Sequence, residues 1–313
     1  MNIFLGLDIG GTTVKAALVT ESGEILHKHE FPTNANAGLD DFCERTYQAL
    51  SLGVKESGCS LQDVRGVGVG IPGPVDLNTG TVIEAVNLGW TNVPVVKLLK
   101  DRLGLPVALE NDANVAALGE AWRGAGSGSE SALCVVVGTG VGGGIVLNGH
   151  LYRGAHGGAG EIGHLMVLRD GPLCNCGNHG CLETLASATA IIREAKNAQT
   201  RGEIPANRVI SGAQDVFALA DAGNLAARKV ITDAAEWLGY GLGLAACTLN
   251  PEVIVLGGGV SRAKDALLLP VREAFARYVF PVIRDDSRIE LATLGNDAGV
   301  IGSARLIAQQ VGA

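Results

Sequence analysis

Residues 5–18 read LGLDIGGTTVKAAL, and residues 134–147 read CVVVGTGVGGGIVL. Each is an apolar run, a turn of glycine and threonine, and a second apolar run, which predicts a strand–turn–strand unit. The two stretches share topology more than residues, and they start ~130 positions apart, so they read as an internal repeat. The repeat predicts two similar α/β lobes around a central cleft, each offering a glycine turn. Glycine lets backbone N–H groups approach phosphate oxygens, because no Cβ intervenes and positive φ costs little. The hydroxyls of Thr12, Thr13 and Thr139 add donors. Neither turn is a P-loop GxxxxGK[ST], nor a GxGxxG that opens directly into a helix. A phosphorylated ligand cupped by hairpins is the expectation.

Between and after the hairpins, strands and helices alternate. Apolar spacing predicts helices over 39–58, 95–103 and 113–122, the last with Asn111 or Asp112 as its N-cap, and strands over 64–71 and 107–110. Further on, a long helix is predicted over 224–248, a buried strand over 253–256, and helices near 262–279 and 298–310. Further glycine turns follow apolar strands at Pro72-Gly73-Pro74 and Gly257-Gly258-Gly259.

Composition narrows the function classes. Of 313 residues, 45 are glycine, about 14%, yet apolar residues make up 47% and no Gly-X-Y period exists. Collagen and disorder are therefore excluded, and the core is aliphatic. Lys and Arg number 24 against 32 Asp and Glu, a net charge of −8 without a basic run. That is not the electrostatic footprint of a nucleic-acid binder. No stretch of ~18 uninterrupted apolar residues exists to span a membrane, and MNIFLGLDIGG lacks the basic start of a signal peptide. A soluble cytoplasmic globular protein is expected. Three of the seven cysteines fall within eight residues, Cys174, Cys176 and Cys181, a metal pattern more than a disulfide framework. Zinc wants four tetrahedral N or S ligands in a structural site, and the fourth could be the local His179 or the earlier His164.

These stretches, with GVGIPGPVD (68–76), ENDANVAALGE (110–120), GEIGH (160–164), CNCGNHGCLE (174–183) and PEVIVLGGGVS (251–261), resemble the ROK family (repressors, open reading frames, kinases). The resemblance runs from about residue 3 to 310, and is closest to bacterial ATP-dependent glucokinases. It implies two ribonuclease-H-like lobes of the actin-like ATPase superfamily, with residues 1–115 and 299–313 in a small lobe and 116–298 in a large one. With the first strand at Ile3, no room is expected for the DNA-binding segment of ROK repressors. The implied activity is phosphorylation of D-glucose at O6 by ATP. Another hexose or acetamido sugar (fructose, mannose, N-acetylglucosamine, N-acetylmannosamine) and a polyphosphate donor are the alternatives.

The resemblance also implies the site. Asp112 would be the catalytic carboxylate that orients the sugar hydroxyl and accepts its proton; its position alone favours a simple N-cap. Asp8 would organise Mg²⁺ through water beside the ATP phosphates. Gly10, Gly11, Thr12, Thr13, Lys15, Gly138, Thr139, Gly140, Gly257, Gly258 and Gly259 would surround the nucleotide. Asn87, Asn111, Asp112, Glu161, His164 and Glu183 would hold glucose. One structural Zn²⁺ per chain would bind His164, Cys174, Cys176 and Cys181, fixing the loop that shapes the sugar pocket; a homodimer is implied by the resemblance alone.

Overall fold

The structure is a computed structural model that describes residues 1–312. The chain divides into two compact units: residues 1–128, 144–159 and 293–313 form the first, and residues 129–143 and 160–292 form the second.

The first unit opens with β1 (Ile3–Ile9), β2 (Thr13–Thr20) and β3 (Ile25–Pro32), followed by α1 (Leu39–Ser57) and β4 (Val64–Ile71). A small antiparallel sheet comes next, β5 (Val75–Asp76), β6 (Thr81–Ala85) and β7 (Trp90–Val93). Then come α2 (Val95–Leu103), β8 (Val107–Asn111) and α3 (Asp112–Arg123). The main sheet runs β3-β2-β1-β4-β8, with β1, β4 and β8 parallel and β1–β3 antiparallel.

The second unit contributes β9 (Ser131–Val137) and the start of β10 (Val141–Leu147), which runs on to pair with β11 (His150–Tyr152). It continues with α4 (Glu183–Ala186), α5 (Ala188–Thr200), α6 (Ala213–Asp221), α7 (Leu225–Leu249) and β12 (Val253–Gly257). It ends with α8 (Asp265–Tyr278), α9 (Pro281–Asp286) and β13 (Arg288–Leu291). Its sheet has the order β11-β10-β9-β12-β13, with β12 parallel to β9 and β13. Strand for strand this is the order of the first sheet, so the internal repeat read from the two glycine turns is a repeat of whole sheets. The buried strand Val253–Gly257 and the helices α7 and α8 fall within a few residues of their predicted spans.

Helix α10 (Ala298–Val311) belongs to the first unit, against β1, β4 and α3. In β4, Gly66, Gly68 and Gly70 alternate with Val67, Val69 and Ile71, so one face of the strand has no side chains at these positions. Helix α10 fills that space: a Cβ on Gly68 would overlap the backbone of Ser303, and one on Gly6 would overlap Val300. Gly302 and Gly119 bring α10 and α3 together in the same way. At this distance Ser303, fully buried, reaches the sheet, and its Oγ donates to the Leu7 carbonyl at 2.9 Å. Because α3 packs along α10, the whole of α3 lies in the first unit, and the division falls after residue 128 where the sequence reading put it after 115.

Gly68→Ala should therefore destabilise the protein by about 1–3 kcal/mol through overpacking, lowering Tm by roughly 3–10 °C in a thermal melt. Gly158→Ala, where a Cβ meets nothing within 4 Å, should leave Tm unchanged.

Candidate active site

In the first unit, the site is built where β1 and β8 end. β1 delivers Asp8 and runs into a turn closed by the Gly10 N–H donating to the Thr13 carbonyl at 2.9 Å. Thr33, which the sequence reading passed over, braces this turn: its Oγ1 donates to the Gly10 carbonyl at 2.7 Å and its N–H to the Thr12 carbonyl at 3.0 Å. Gly11 and Thr12 are exposed at the tip. A Cβ on Gly11 would lie 3.3 Å from Cβ of Asn87, so Asn87 sits on the turn. Trp90 is buried and packs edge-on against Phe42 at 5.3 Å between ring centroids, a core role.

β8 delivers Glu110, Asn111 and Asp112. Asn111 is the N-cap of α3: its Oδ1 accepts from the N–H groups of Ala113 (2.9 Å) and Asn114 (3.4 Å). Its Nδ2 donates to the Gly73 carbonyl at 3.3 Å. Asp112 Oδ1 also accepts from Ala113 N–H, at 2.8 Å. The carboxylate is nonetheless largely buried, and that burial raises its pKa above the ordinary 3.8 despite the donors around it. Asp8 is raised as well, first by burial and also by the negative charge of Asp112, against the pull of Lys15, whose Nζ lies 3.5 Å from Asp8 Oδ2. Lys15 also donates to the Asn296 carbonyl at 3.5 Å. Two neighbouring half-buried carboxylates with one ammonium are an environment that favours an arriving cation.

Glu110, beside them, gave no signal in the sequence. Its side chain is 3% exposed and fully supplied with donors: Oε2 takes Arg153 Nε at 2.5 Å, and Oε1 takes Asn111 N–H and Asn114 Nδ2, both at 3.0 Å. A buried carboxylate is tolerated only when paired and hydrogen-bonded, and here the pairing fixes the strand-to-helix corner that presents Asn111 and Asp112.

In the second unit, the Gly138–Gly140 turn is closed by Gly138 N–H to the Gly140 carbonyl, 2.9 Å. Gly258, at φ +88°, backs onto Val137 so closely that a Cβ would overlap its backbone. The Gly257–Gly259 turn thus lies beside the Gly138 turn. The GEIGH segment packs onto the strand that follows: a Cβ on Gly163 would meet the Val141 carbonyl. Glu161 is exposed.

His164, Cys174, Cys176 and Cys181 converge, with their ligand atoms all within 4.8 Å of one another. His164 Nδ1 lies 3.6 Å from Cys174 Sγ, and the sulfurs of Cys176 and Cys181 are 3.7 Å apart. Zinc bond lengths of about 2.3 Å to sulfur and 2.0 Å to nitrogen put tetrahedral edges at about 3.8 and 3.5 Å, so the four groups fit a zinc ion. His179 is turned away, its Nδ1 on the Gly171 carbonyl at 3.0 Å, so the cluster includes His164 and not His179. Burial and the neighbouring thiols push Cys181 up to about 12, whereas the Asn178 N–H lowers Cys176. Nδ1 of the His164 ring is the nitrogen that lies among the sulfurs. Glu183 sits against the same cluster, Oε1 3.9 Å from Cys174 Sγ, while Oε2 accepts Val141 N–H at 3.0 Å.

A glucokinase of Halalkalibacterium halodurans is 45% identical over 98% of this chain and 95% of its own length. The ROK hexokinase of Thermus thermophilus superposes with a TM-score of 0.85 at 34% identity, covering 99% of both chains. A ROK family glucokinase from Streptomyces griseus, solved with glucose and AMPPNP, superposes at 0.77 with 34% identity over 99% of this chain and 100% of that one. Their fold is that of the actin-like ATPases. The sequence profile of the ROK family matches residues 4–310, and the chain belongs to that family.

Proposed function

We propose that this chain is an ATP-dependent glucokinase that transfers the γ-phosphoryl group of ATP to O6 of D-glucose, giving glucose 6-phosphate and ADP. The observation that carries the reading is Asp112: a half-buried carboxylate whose pKa desolvation raises, at a strand end, fixed by the Glu110 corner and neighboured by Asp8. The likeness to glucokinases across almost the whole chain supports the choice of substrate.

In the reaction, the glucose O6–H loses its proton to Asp112, the new O6–P bond forms and the P–O bond to ADP breaks. Such transfer is mainly a matter of positioning and charge neutralisation. Asp112 orients the hydroxyl, and burial brings its pKa nearer to that of a useful base. Mg²⁺ arrives with ATP as part of the substrate; Asp8 would organise it through water, and Lys15 would pair with the phosphates. The N–H groups of Gly11, Thr12, Thr139 and Gly140 are donors for the phosphates, and the Gly257–Gly259 turn lies against adenosine. Asn87, Asn111, Glu161, His164 Nε2 and Glu183 bind the sugar hydroxyls. Zinc, when bound to His164, Cys174, Cys176 and Cys181, supplies a rigid tetrahedral anchor. Among the described residues no helix is long and apolar enough to cross a membrane; the use of ATP supports a cytoplasmic location, and the family resemblance supports a homodimer.

The direct test is ADP release over a panel of hexoses and acetamido sugars, with polyphosphate as a second donor. Glucose with ATP should give the highest kcat/KM, and a higher value for another sugar or for polyphosphate overturns the assignment. Asp112→Asn should fold with an unchanged Tm yet lose roughly 10²–10⁴ in kcat. Since the carboxylate must be ionised to accept the proton, activity should fall with pH through an apparent pKa above the ordinary 3.8, measured as the acid limb of the kcat–pH profile. Cys176→Ser should release zinc, by elemental analysis, and weaken glucose binding at least tenfold in calorimetry.

A further inference from the structure

The Gly138–Gly140 turn is held from one side by the stretch that follows the cysteine loop. Ala188 N–H donates to the Gly138 carbonyl at 2.8 Å, and Thr189 Oγ1 donates to the Thr139 carbonyl at 2.7 Å. Glu183 Oε2 takes the N–H of the next residue, Val141. A trans peptide is planar, with its C=O and N–H pointing opposite ways. Pinning the Gly138 carbonyl therefore aims the N–H of Thr139 away from α5, and pinning the Thr139 carbonyl aims the N–H of Gly140 likewise. Among the described residues neither N–H has a partner within the protein, and Thr139 is exposed.

The pinning segment is itself an extension of the cysteine loop. Glu183 follows Cys181 by two residues, Leu182 N–H donates to the Leu165 carbonyl at 2.9 Å next to His164, and Ser187 caps α5 through Ala190 N–H at 3.2 Å. Residues 183–189 thus connect the four-ligand cluster to the turn, all within the second unit.

We propose that Thr189 is a positioning residue for nucleotide: together with Ala188 and Glu183 it clasps the Gly138–Gly140 turn in the conformation that presents two N–H groups to phosphate, so the metal loop governs nucleotide affinity as well as sugar affinity. The inference rests on the kinase reading above. Thr189 itself touches neither substrate; it acts through the Thr139 peptide.

Calorimetric titration with Mg²⁺–AMPPNP in the absence of sugar tests it. Thr189→Val, which keeps the shape and removes the donor, should weaken AMPPNP binding roughly 5-fold, the loss of one neutral hydrogen bond. It should retain one zinc per chain and the wild-type affinity for glucose, and in turnover the KM for ATP should rise while kcat holds. Thr189→Ser should restore binding to within about twofold. Wild-type protein stripped of zinc by a chelator, still folded by circular dichroism, should lose AMPPNP affinity by at least the same factor. Unchanged AMPPNP affinity in Thr189→Val, or in folded zinc-free protein, overturns the clasp while leaving the kinase reading standing. A wild-type chain that binds no AMPPNP at all overturns the kinase reading, and the clasp falls with it.

Discussion

A carboxylate sealed from water must be met by donors on all sides or give up its charge, and Glu110 shows how much structure that requirement organises. Its two oxygens collect a guanidinium, a side-chain amide and a main-chain N–H. The main-chain donor is that of Asn111, so the corner between β8 and α3 has one way to turn. The amide belongs to Asn114, one helical turn on, so the first turn of α3 is tied to the strand that precedes it. Asp112 sits between these anchors. Its position is inherited from a charge next door and strengthened by Asn111, whose side chain caps the helix.

The framework was legible because local pattern carries it. Alternation in RGVGVGI, the paired hairpins with their glycine and threonine turns, and the long apolar periodicity of residues 224–248 are short-range signals, and each became the expected element. The equal strand order of the two sheets extends the same signal. The cysteine loop was legible because three of the four clustered residues lie within eight positions. What escaped was long-range pairing between ordinary residues. Arg153 and Glu110 are 43 positions apart, and Thr189 and Thr139 are 50 apart; neither partner is unusual in composition or context. The small β5–β7 sheet, the helices α5 and α6 and the short strand β13 also went unread, because their runs are brief and their stability comes from the neighbours they pack on.

Some expected site residues do two things at once. Asn111 was expected to meet the sugar, yet its amide is already divided between the helix cap and the Gly73 carbonyl. Glu183 likewise gives one oxygen to the Val141 N–H and turns the other toward Cys174. Such groups are preorganised: the hydrogen bonds that hold them cost rotamer freedom before any ligand arrives, which lowers what binding must still overcome. The roles read from sequence named what these side chains offer, and the fold adds what keeps them still.

The glycine face of β4 has a consequence for how the chain is made. Its partner, α10, lies some 230 positions further along, so during translation β1 and β4 emerge with an uncovered seam that only residues 298–311 can close. The unit formed by residues 129–143 and 160–292 is complete earlier and can settle while the first waits. For that interval the glycine face of β4 has no helix against it, and the corner that carries Asp8 and Asp112 acquires its backing only near the end of synthesis.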